Sequence, residues 1–501
     1  MRTPHPRPVL RLAAAAGLAL AVTGTFAVPA TAAPGGNLPD RLTRNVTVDG
    51  VNRHLIALQR IADQNGGNRA AGTPGHETSV DYVAGQLRDA GFVVETPSFT
   101  FPQETVLTQT LTVGGTDVAV TPMSFSPSSP AGGATGPLVV ATGNGCEVGD
   151  YPAGATGSIT LVQRGVCSFA QKQAVAGQAG ALGTVIYNNV EGELNGTLGD
   201  LAAGVVPTVG ITRADGEALV ASPGAPTTLD LQITRETVST RNVIAQTRTG
   251  RPDNVVMAGS HLDSVPAGPG INDNGSGSAG LLETAIQLGG SPKVSNAVRF
   301  AWWSAEELGL LGAEDYVAGL TFEQQVDIAL YLNFDMIASP NAAYFAYDGD
   351  DSDLEGSGPG PVGSAQIEAA FTGFLGGRGV QVRGTDFDGR SDYGPFIAQG
   401  IPSGGLFTGA EGVKTADEAG LWGGTAGQAY DPCYHQACDT LLNVDRVALD
   451  RNSDALAFVT ASYAQSAEGV NGVSPRKVRA AERASERTLT AEVGPEGAEA
   501  A

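Results

Sequence analysis

Two histidines and five acidic residues stand out because their side chains could together bind metal ions. They are His261, Asp263, Asp273, Glu306, Glu307, Asp335 and His435. Imidazole nitrogens and carboxylate oxygens are common zinc ligands, whereas a single structural zinc needs four ligands and usually includes thiolates. This set is larger and richer in oxygen. It therefore favours a hydrolytic site in which one carboxylate bridges two metal ions.

The adjacent pair Glu306 and Glu307 suits such a site because its two members could have different roles. One carboxylate can bind a metal ion while its neighbour stays free to take a proton from water near that metal. Taken alone, two glutamates at the start of a helix are more often solvated and stabilised by the helix dipole. Their position directly after the apolar run "AVRFAWWS" favours the catalytic interpretation.

The glycine-rich segment "NDNGSGSAG" around Asp273 could suggest a phosphate-binding loop. It lacks the lysine of a P-loop, and its glycine spacing does not match the dinucleotide-binding pattern. The small residues instead predict a tight turn beside Asp273, followed by a helix over residues 279–286.

Three short apolar runs must position these side chains. They are "NVVMAGS" at 254–260, "AVRFAWWS" at 297–304 and "IALYLNFD" at 328–335. Runs that are apolar on both faces predict strands buried between helices, and therefore an α/β fold with a mixed, largely parallel sheet. In open α/β sheets, ligands bind at the carboxyl ends of the strands. We therefore expect these side chains, distant in sequence, to meet at that edge.

The composition divides the chain into five segments. Residues 107–239 are low in charge and rich in Gly, Ala, Val and Thr, and they predict an inserted, mainly-β domain. The flanking residues 33–106 and 240–470 are predicted to form one domain that carries the candidate site. Residues 471–501 are dense in Ala, Glu and Arg with few apolar anchors, which predicts a flexible tail. The remaining segment, 1–32, differs from all of these.

Residues 1–32 have the pattern of a signal peptide. Arg2, Arg7 and Arg11 precede a mostly apolar run at 12–28, and an Ala-Thr-Ala triplet follows. The pattern predicts a secreted, extracellular protein without a membrane partner. The formal net charge of −23, from 29 Lys+Arg and 52 Asp+Glu residues, also argues against binding to nucleic acid or an anionic membrane.

The four cysteines fall into two pairs along the chain. In an oxidising compartment they predict two local disulfides, Cys146 with Cys167 and Cys433 with Cys438. Zinc binding by Cys433 and Cys438 is less favoured because no second cysteine pair accompanies them.

Several motifs in this order resemble the secreted bacterial zinc-dependent leucyl aminopeptidases, which are two-zinc exopeptidases. These motifs are "MAGSHLDSV", "GINDNGSGSAG", "RFAWWSAEELGLLG", "YLNFDMIASPN", "DGRSDYGPF", "GGLFTGA" and "CYHQACDT". The resemblance covers about residues 51–101 and 242–462. It implies the zinc exopeptidase fold and two zinc ions as cofactors.

The resemblance also implies a role for each candidate metal ligand. Asp273 would bridge the two zinc ions. His261 and Asp335 would complete one zinc site, and Glu307 and His435 would complete the other.

Five further residues match positions that act on the substrate or support a ligand. Glu306 would be the general base and acid, and Asp263 would bond to a ligating histidine and fix its tautomer. Tyr434 would stabilise the developing oxyanion, Arg390 would orient the substrate, and Phe407 would line the pocket for the first side chain.

Two other resemblances concern the insert and calcium. "GSITLVQRGVCSFAQKQAVAGQAGALGTVIYNN", at 157–189, resembles a protease-associated domain, which would either modulate access of long substrates or only stabilise the protein. The family often has a calcium site, for which Asp450 and Asp454 are the candidates. Asn45 stands where an early acid is expected, and calcium affinity rises with ligand charge.

The sequence therefore predicts a monomeric aminopeptidase acting on peptides and proteins with a free N-terminus, preferring large apolar residues such as leucine. A carboxypeptidase or a glutaminyl cyclase on the same fold, or a non-catalytic binding protein, are the alternatives. A cyclase uses one zinc, a carboxypeptidase needs additional basic residues, and a binding protein is expected to have lost ligands. His54 and His76 have no nearby acid clusters and are predicted at the surface.

Overall fold

The structure is a computed structural model that describes residues 37–199, 201–354, 356, 358–470 and 473–492. The predicted signal peptide at 1–32 lies outside the described residues. The helices are α1 (Leu38–Asn45), α2 (Val48–Gln64), α3 (Pro74–Asp89), α4 (Phe169–Gln178), α5 (Arg213–Val220), α6 (Gly275–Leu288), α7 (Leu311–Gly319), α8 (Phe322–Asp327), α9 (Ser364–Gly376), α10 (Gly394–Ile397), α11 (Ala416–Trp422), α12 (Arg446–Gln465), α13 (Ala467–Val470) and α14 (Arg476–Glu492).

The strands form two separate sheets. They are β1 (Val93–Glu95), β2 (Ser98–Val113), β3 (Thr116–Val118), β4 (Thr121–Pro122), β5 (Ala134–Val140), β6 (Ile159–Gln163), β7 (Gly183–Tyr187), β8 (Thr208–Ile211), β9 (Pro226–Arg241), β10 (Val243–Gln246), β11 (Arg251–His261), β12 (Asn296–Trp303), β13 (Ile328–Phe334), β14 (Phe345–Tyr347), β15 (Arg383–Thr385) and β16 (Ser403–Phe407). Short 3-10 turns cover Val148–Asp150, Ala153–Ala155, Glu306–Leu308 and Leu441–Asn443.

The sheet that carries the candidate site has the strand order β1-β10-β12-β11-β13-β16-β14-β15. Strands β12, β11, β13 and β16 pair in parallel, and antiparallel pairs stand at either side of them. The three predicted apolar strands are β11, β12 and β13 at the centre of this sheet. The α/β prediction with a mixed, largely parallel sheet is therefore confirmed.

Helices cover both faces of this central sheet, as a strand that is apolar on both faces requires. On one face, Phe300 and Leu330 pack with side chains of α2, α6 and α12. On the other face, Trp303 and Tyr331 pack with residues of α7 and α10, including Phe396. Alternate residues of one strand thus belong to two different hydrophobic cores.

Helix α6 begins at Gly275, earlier than the predicted start at 279. The side chain of Asn274 accepts the backbone N–H of Gly277 at 3.0 Å, which caps the helix directly after Asp273. The glycine-rich segment is thus partly turn and partly first helical turn.

The second sheet has the order β3-β2-β9-β5-β6-β7-β8-β4 and forms the predicted mainly-β insert. Strands β2 and β9 run antiparallel from the pair Ser98 and Arg241 to the pair Val113 and Thr227. They lead the chain out of the central domain and back into it. This ribbon starts before the predicted boundary at 107 and ends after the one at 239.

The C-terminal segment differs from the predicted flexible tail. Residues 476–492 form α14, and Arg476 pairs with Glu323 at 2.6 Å and with Asp327 at 2.7 Å. Arg479 and Arg483 are buried and donate to carbonyl oxygens near α8. The tail was predicted to be flexible because it has few apolar residues. The long aliphatic parts of these buried arginine side chains anchor the helix instead. Residues 493–501 lie outside the description.

Three other expectations can be compared with the structure. Both disulfides, Cys146–Cys167 and Cys433–Cys438, are present. The surface placement of His54 and His76 was wrong: His54 is buried and bonds to the Tyr82 hydroxyl at 2.7 Å, and His76 is fully buried. None of the described helices is long and apolar enough to cross a membrane.

Candidate metal centre and active site

The candidate ligands meet at the carboxyl ends of the central strands. His261 is the last residue of β11, Glu306 and Glu307 lie in the turn after β12, and Asp335 follows β13. Asp273 lies two residues before the start of α6, directly before the capping residue Asn274. The parallel order of these strands places all five side chains at one edge of the sheet.

One half of the centre is built around His261. Its Nε2 atom lies 3.2 Å from Asp335 Oδ1, 3.4 Å from Asp273 Oδ1 and 3.8 Å from Glu306 Oε2. Burial alone would lower the pKa of His261, but the charges of Glu306 and Asp335 outweigh it and raise the pKa well above 6.5. The electrostatic potential on this side of the centre is therefore strongly negative.

The other half is built around His435, which comes from the loop before α12. Its Nε2 atom lies 2.9 Å from Glu307 Oε2 and 3.2 Å from Asp273 Oδ2. Burial would lower the pKa of His435, but its bonds to Asp273 and Glu307 raise it to about 10. The two oxygens of Asp273 therefore face different histidines, which is the arrangement of a carboxylate that bridges two cations.

The donor set and its burial fit divalent cations. His261 Nδ1, Asp263 Oδ2 and Glu307 Oε1 are buried without a hydrogen-bond partner in the described part of the chain. Burial raises the pKa of Glu306 well above its usual range and that of Glu307 to about 7. Carboxylates concentrated in this way are costly to keep ionised unless positive charge lies between them. Imidazole and carboxylate donors are those that zinc accepts.

Asp263 lies beside His261 without bonding directly to it. The distance from His261 Nδ1 to Asp263 Oδ1 is 3.7 Å, longer than a hydrogen bond. The same oxygen accepts the backbone N–H of Glu306 at 3.3 Å. Asp263 is thus placed to orient the turn that carries Glu306.

Backbone strain accompanies the candidate residues. Ala305, Met336 and His435 have φ angles of 58°, 48° and 56°, in the left-handed region that non-glycine residues rarely adopt. Ala305 directly precedes Glu306, and Met336 directly follows Asp335. Such strain persists only where the surrounding structure imposes it, and it is frequent at functional sites.

A cavity of about 300 Å³ opens beside the candidate ligands. Phe407 lines it together with Met336, Phe345 and Tyr430. Of these four residues only Phe407 was predicted from the sequence, because the others carry no pattern that separates them from core residues.

Tyr434 and Arg390 stand at the same cavity. Arg390 Nη2 donates to the Tyr434 hydroxyl at 3.2 Å, and Nη1 donates to Glu411 Oε1 at 2.9 Å. The Tyr434 ring stacks on the His435 ring with centroids 3.8 Å apart. Burial raises the pKa of Tyr434, so its hydroxyl stays protonated and can donate a hydrogen bond.

Arg69 is a buried cation that the sequence analysis missed. Its guanidinium donates to the backbone carbonyls of Leu262, Pro269 and Gly270, which belong to the loop between His261 and Asp273. Burial lowers the pKa of Arg69 to about 10, against the opposing effect of nearby carboxylates, so it stays charged at neutral pH. An arginine in "NRAAGTPG" gives no sequence signal of this role.

Two further acids were also missed. Asp439 accepts the backbone N–H groups of Asn272 and Asp273, each at 2.9 Å. Asp392 is fully buried, neither of its carboxylate oxygens has a partner among the described residues, and burial raises its pKa well above its usual range. Asp392 stands in "GRSDYG", beside Arg390, so that motif was the available signal.

The calcium candidates lie elsewhere, one turn apart on α12. Burial and the charge of Asp450 raise the pKa of Asp454 to about 6. Within the described ranges, neither belongs to a group of three close metal-capable donors. Helix α1, which ends at Asn45, packs on α12.

Family models match this chain in two places: peptidase family M28 over residues 242–460 and the PA domain over residues 134–219. A probable lipoprotein aminopeptidase of Mycobacterium tuberculosis is 50% identical over 440 residues, covering 86% of this chain and 88% of the relative. Leucine aminopeptidase 2 of Arthroderma otae is 46% identical over 405 residues, covering 80% and 81%.

Two solved structures share the fold. The aminopeptidase from Aneurinibacillus sp. strain AM-1 has a TM-score of 0.70 at 28% identity, covering 87% of this chain and 98% of that one. A zinc aminopeptidase from Bacillus subtilis has a TM-score of 0.62 at 26% identity, covering 84% and 96%. These similarities confirm the resemblance inferred from the motifs, and the chain belongs to peptidase family M28 with an inserted PA domain.

Proposed function

We propose that this protein is a secreted two-zinc aminopeptidase that prefers large apolar N-terminal residues such as leucine. The observation that carries the proposal is the position of Asp273, whose two oxygens lie 3.4 Å and 3.2 Å from the Nε2 atoms of His261 and His435. The aminopeptidase names of the relatives from Mycobacterium tuberculosis and Arthroderma otae, and of the zinc enzyme from Bacillus subtilis, support the same activity.

The metal ligands would divide between two positions. His261 and Asp335 would hold one zinc ion, Glu307 and His435 would hold the other, and Asp273 would bind both. When bound, the zinc ions supply Lewis acidity, which polarises the scissile carbonyl and acidifies water.

Glu306 would move the proton. Its carboxylate is buried 3.8 Å from His261 Nε2 and would stay outside both ligand sets. It would take a proton from the attacking water and deliver it to the leaving amine. Burial raises the pKa of Glu306, which suits a group that must hold a proton between the two steps.

Tyr434 would stabilise the negative charge that develops on the substrate carbonyl. A protonated phenol can donate a hydrogen bond to that oxygen. Arg390, anchored by Glu411 at 2.9 Å, holds the Tyr434 hydroxyl at 3.2 Å and so fixes the donor before substrate arrives.

The cavity favours an aminopeptidase over a carboxypeptidase. Its volume of about 300 Å³ and its lining by Phe345, Phe407 and Tyr430 suit an apolar side chain. Among the described residues that line it, Arg390 is the only arginine or lysine, and Glu411 already pairs with it. A terminal carboxylate would lack an unpaired basic side chain there, whereas a free amine would meet a cavity whose lining also includes Asp386 and Asp388.

Hydrolysis of leucine p-nitroanilide tests this function, with N-acetyl-leucine p-nitroanilide as the matched control. The mature protein is expected to cleave the free-amine substrate alone, to lose activity with a zinc chelator and to regain it when zinc is restored. Cleavage of the acetylated substrate, or activity that persists after all zinc is removed, would contradict the proposal. Two zinc ions per chain are expected by elemental analysis.

Calcium at Asp450 and Asp454 is a separate cofactor proposal, supported by two carboxylates one helical turn apart and by the raised pKa of Asp454. Thermal unfolding with and without calcium tests it. The melting temperature should rise with calcium in the wild type and not in Asp454→Asn. Equal shifts in both would reject this site.

Two further proposals, that the protein is exported and that it is a monomer, are tested by separate measurements. Protein from the culture medium should begin after residue 32, and sedimentation should give a single-chain mass. Retention of residues 1–32 in the extracellular protein would contradict the signal-peptide prediction.

A further inference from the structure

A chain of four hydrogen bonds runs beneath the candidate metal centre. Trp303 Nε1 donates to the Tyr331 hydroxyl at 2.8 Å, and that hydroxyl donates to Asn333 Oδ1 at 3.1 Å. Asn333 Nδ2 donates to Ser391 Oγ at 2.8 Å, and Ser391 Oγ donates to Asp335 Oδ2 at 2.7 Å. The chain therefore links buried side chains of strands β12 and β13 to Asp335, a predicted zinc ligand.

The indole N–H at one end of this chain and the carboxylate at the other give its bonds one consistent direction. An indole N–H can only donate, so the Tyr331 oxygen accepts it and the Tyr331 proton points to Asn333. That contact sets the orientation of the Asn333 amide, whose NH₂ group must then face Ser391. The Ser391 hydroxyl, already accepting, donates to the carboxylate of Asp335.

All five members are buried, and Trp303, Tyr331 and Asn333 are fully inaccessible to solvent. Water does not compete for the bonds among these three side chains, and aligned hydrogen bonds strengthen one another in a low-dielectric interior. The last bond is charge-assisted because its acceptor is a carboxylate. It engages Oδ2 of Asp335 and leaves Oδ1 facing His261 Nε2 at 3.2 Å.

Gly259 is independent evidence for this hydrogen-bond chain. Any side chain at position 259 would occupy the space that Tyr331 and Trp303 use to reach each other. A Cβ atom at Gly259 would lie 2.2 Å from the Tyr331 hydroxyl and 2.7 Å from Trp303 Nε1. Both distances are shorter than any ordinary contact. Gly259 stands two residues before His261, so the glycine of the motif "MAGSHLD" makes space for the start of the chain.

We propose that this chain is a positioning device for Asp335, with Ser391 as its terminal positioning residue. It would hold the carboxylate rotated so that Oδ1 points at the cation shared with His261. The inference rests on the proposed function, because it takes Asp335 to be a zinc ligand. It predicts that the two zinc positions differ in their sensitivity to changes at Ser391.

Zinc binding by the purified, metal-depleted full-length protein tests the proposal, measured by competition with a chromophoric chelator. Ser391→Ala is expected to weaken one of the two zinc positions by about 10–100-fold and to leave the other unchanged. Ser391→Thr retains the hydroxyl and should restore most of that affinity. Ser403→Ala is the matched control, since Ser403 is buried and its hydroxyl donates to the backbone of Ile401 instead of to a ligand.

Tyr331→Phe keeps the proposal testable should Ser391→Ala fail to fold. It breaks the chain two bonds away from the carboxylate, so the same zinc position should weaken, by less. Gly259→Ala should act in the same direction by displacing Tyr331. Circular dichroism of each variant separates these effects from unfolding.

The outcomes distinguish this inference from the proposed function. If Asp335→Asn leaves both zinc affinities unchanged, the ligand assignment itself fails. If Asp335→Asn weakens one position while folded Ser391→Ala and Tyr331→Phe bind both ions like the wild type, only the positioning role of the chain is overturned.

Discussion

Asp439 accepts the backbone N–H of Asp273 at 2.9 Å, so the turn that carries the predicted bridging carboxylate is fastened to the loop that carries His435. Its second oxygen accepts the N–H of Asn272 at the same distance. One buried side chain thus fixes the position of the turn that carries Asp273 relative to the loop that carries His435.

Removing this carboxylate should loosen both parts. Asp439→Ala leaves two buried N–H groups unpaired, which costs about 1–3 kcal/mol for each group. We expect a lower urea midpoint and weaker zinc binding, and Asp439→Asn, which keeps one acceptor oxygen, should lose less. An Asp439→Ala variant as stable as the wild type would show that the contact is dispensable.

The adjacent glutamates should respond differently to the same substitution. Glu306→Gln is expected to lower kcat by about 10²–10⁴-fold, the range of general acid–base catalysis, while zinc content and KM change little. Glu307→Gln should lose zinc as well as activity. Steady-state kinetics and elemental analysis of both variants check this. The reverse pattern, with zinc lost from Glu306→Gln, would exchange the two roles.

Arg69 should be essential for stability although it lies outside the predicted ligand set. Arg69→Met leaves three backbone carbonyls unpaired and removes a buried positive charge beside several carboxylates, so a loss of about 3–5 kcal/mol is expected. Arg69→Lys keeps the charge but lacks the planar guanidinium group. Its stability should therefore lie between that of Arg69→Met and that of the wild type. Urea unfolding in the presence of chelator separates this effect from metal binding. Equal midpoints for Arg69→Met and wild type would contradict it.

His76 should make the fold sensitive to acid. Burial lowers the pKa of His76 below 6.5, so the unfolded chain takes up a proton more readily than the folded one. Its contribution is complete above about pH 6.5, and stability is lost as the pH falls below that value. The urea midpoint of the wild type should therefore fall more between pH 7.5 and pH 5 than that of His76→Gln. Parallel falls would exclude His76 as a source of acid sensitivity.

The central strands and candidate ligands could be predicted because two signals coincide along the chain. The run "IALYLNF", for example, is buried at every position and apolar at all but Asn333, as suits a strand between two helical layers, and Asp335 follows it directly. Parallel topology then brings His261 and Asp335 together without further information.

Residues whose roles depend on distant backbone could not be found in this way. Arg69 acts through the carbonyls of a loop about two hundred positions later, and no local pattern marks such a contact. Ser391 lies in a loop and depends on an amide and a phenol of strand β13. His76 and Arg479 were misplaced because burial of polar side chains depends on the partners that the fold supplies.

The insert should affect long substrates more than short ones. Phe99 and Phe101, at the base of β2, pack with Ala305, the residue before Glu306, so the ribbon that carries the insert stands next to the candidate active site. A domain held there is placed to restrict the approach of a long chain while a p-nitroanilide still enters. Removing it should therefore raise kcat/KM for long peptides and leave leucine p-nitroanilide unchanged.

The pairing of Val106 with Ile233 gives a clean site for that deletion. Replacing residues 107–232 with Asn-Gly closes the ribbon with a two-residue hairpin turn and keeps the ladder down to Ser98 and Arg241. The ratio of kcat/KM for a leucine-initiated peptide of about ten residues to that for the p-nitroanilide should increase. The insert would be a stabilising appendage if a folded variant showed an unchanged ratio, and a substrate-binding module if the ratio fell.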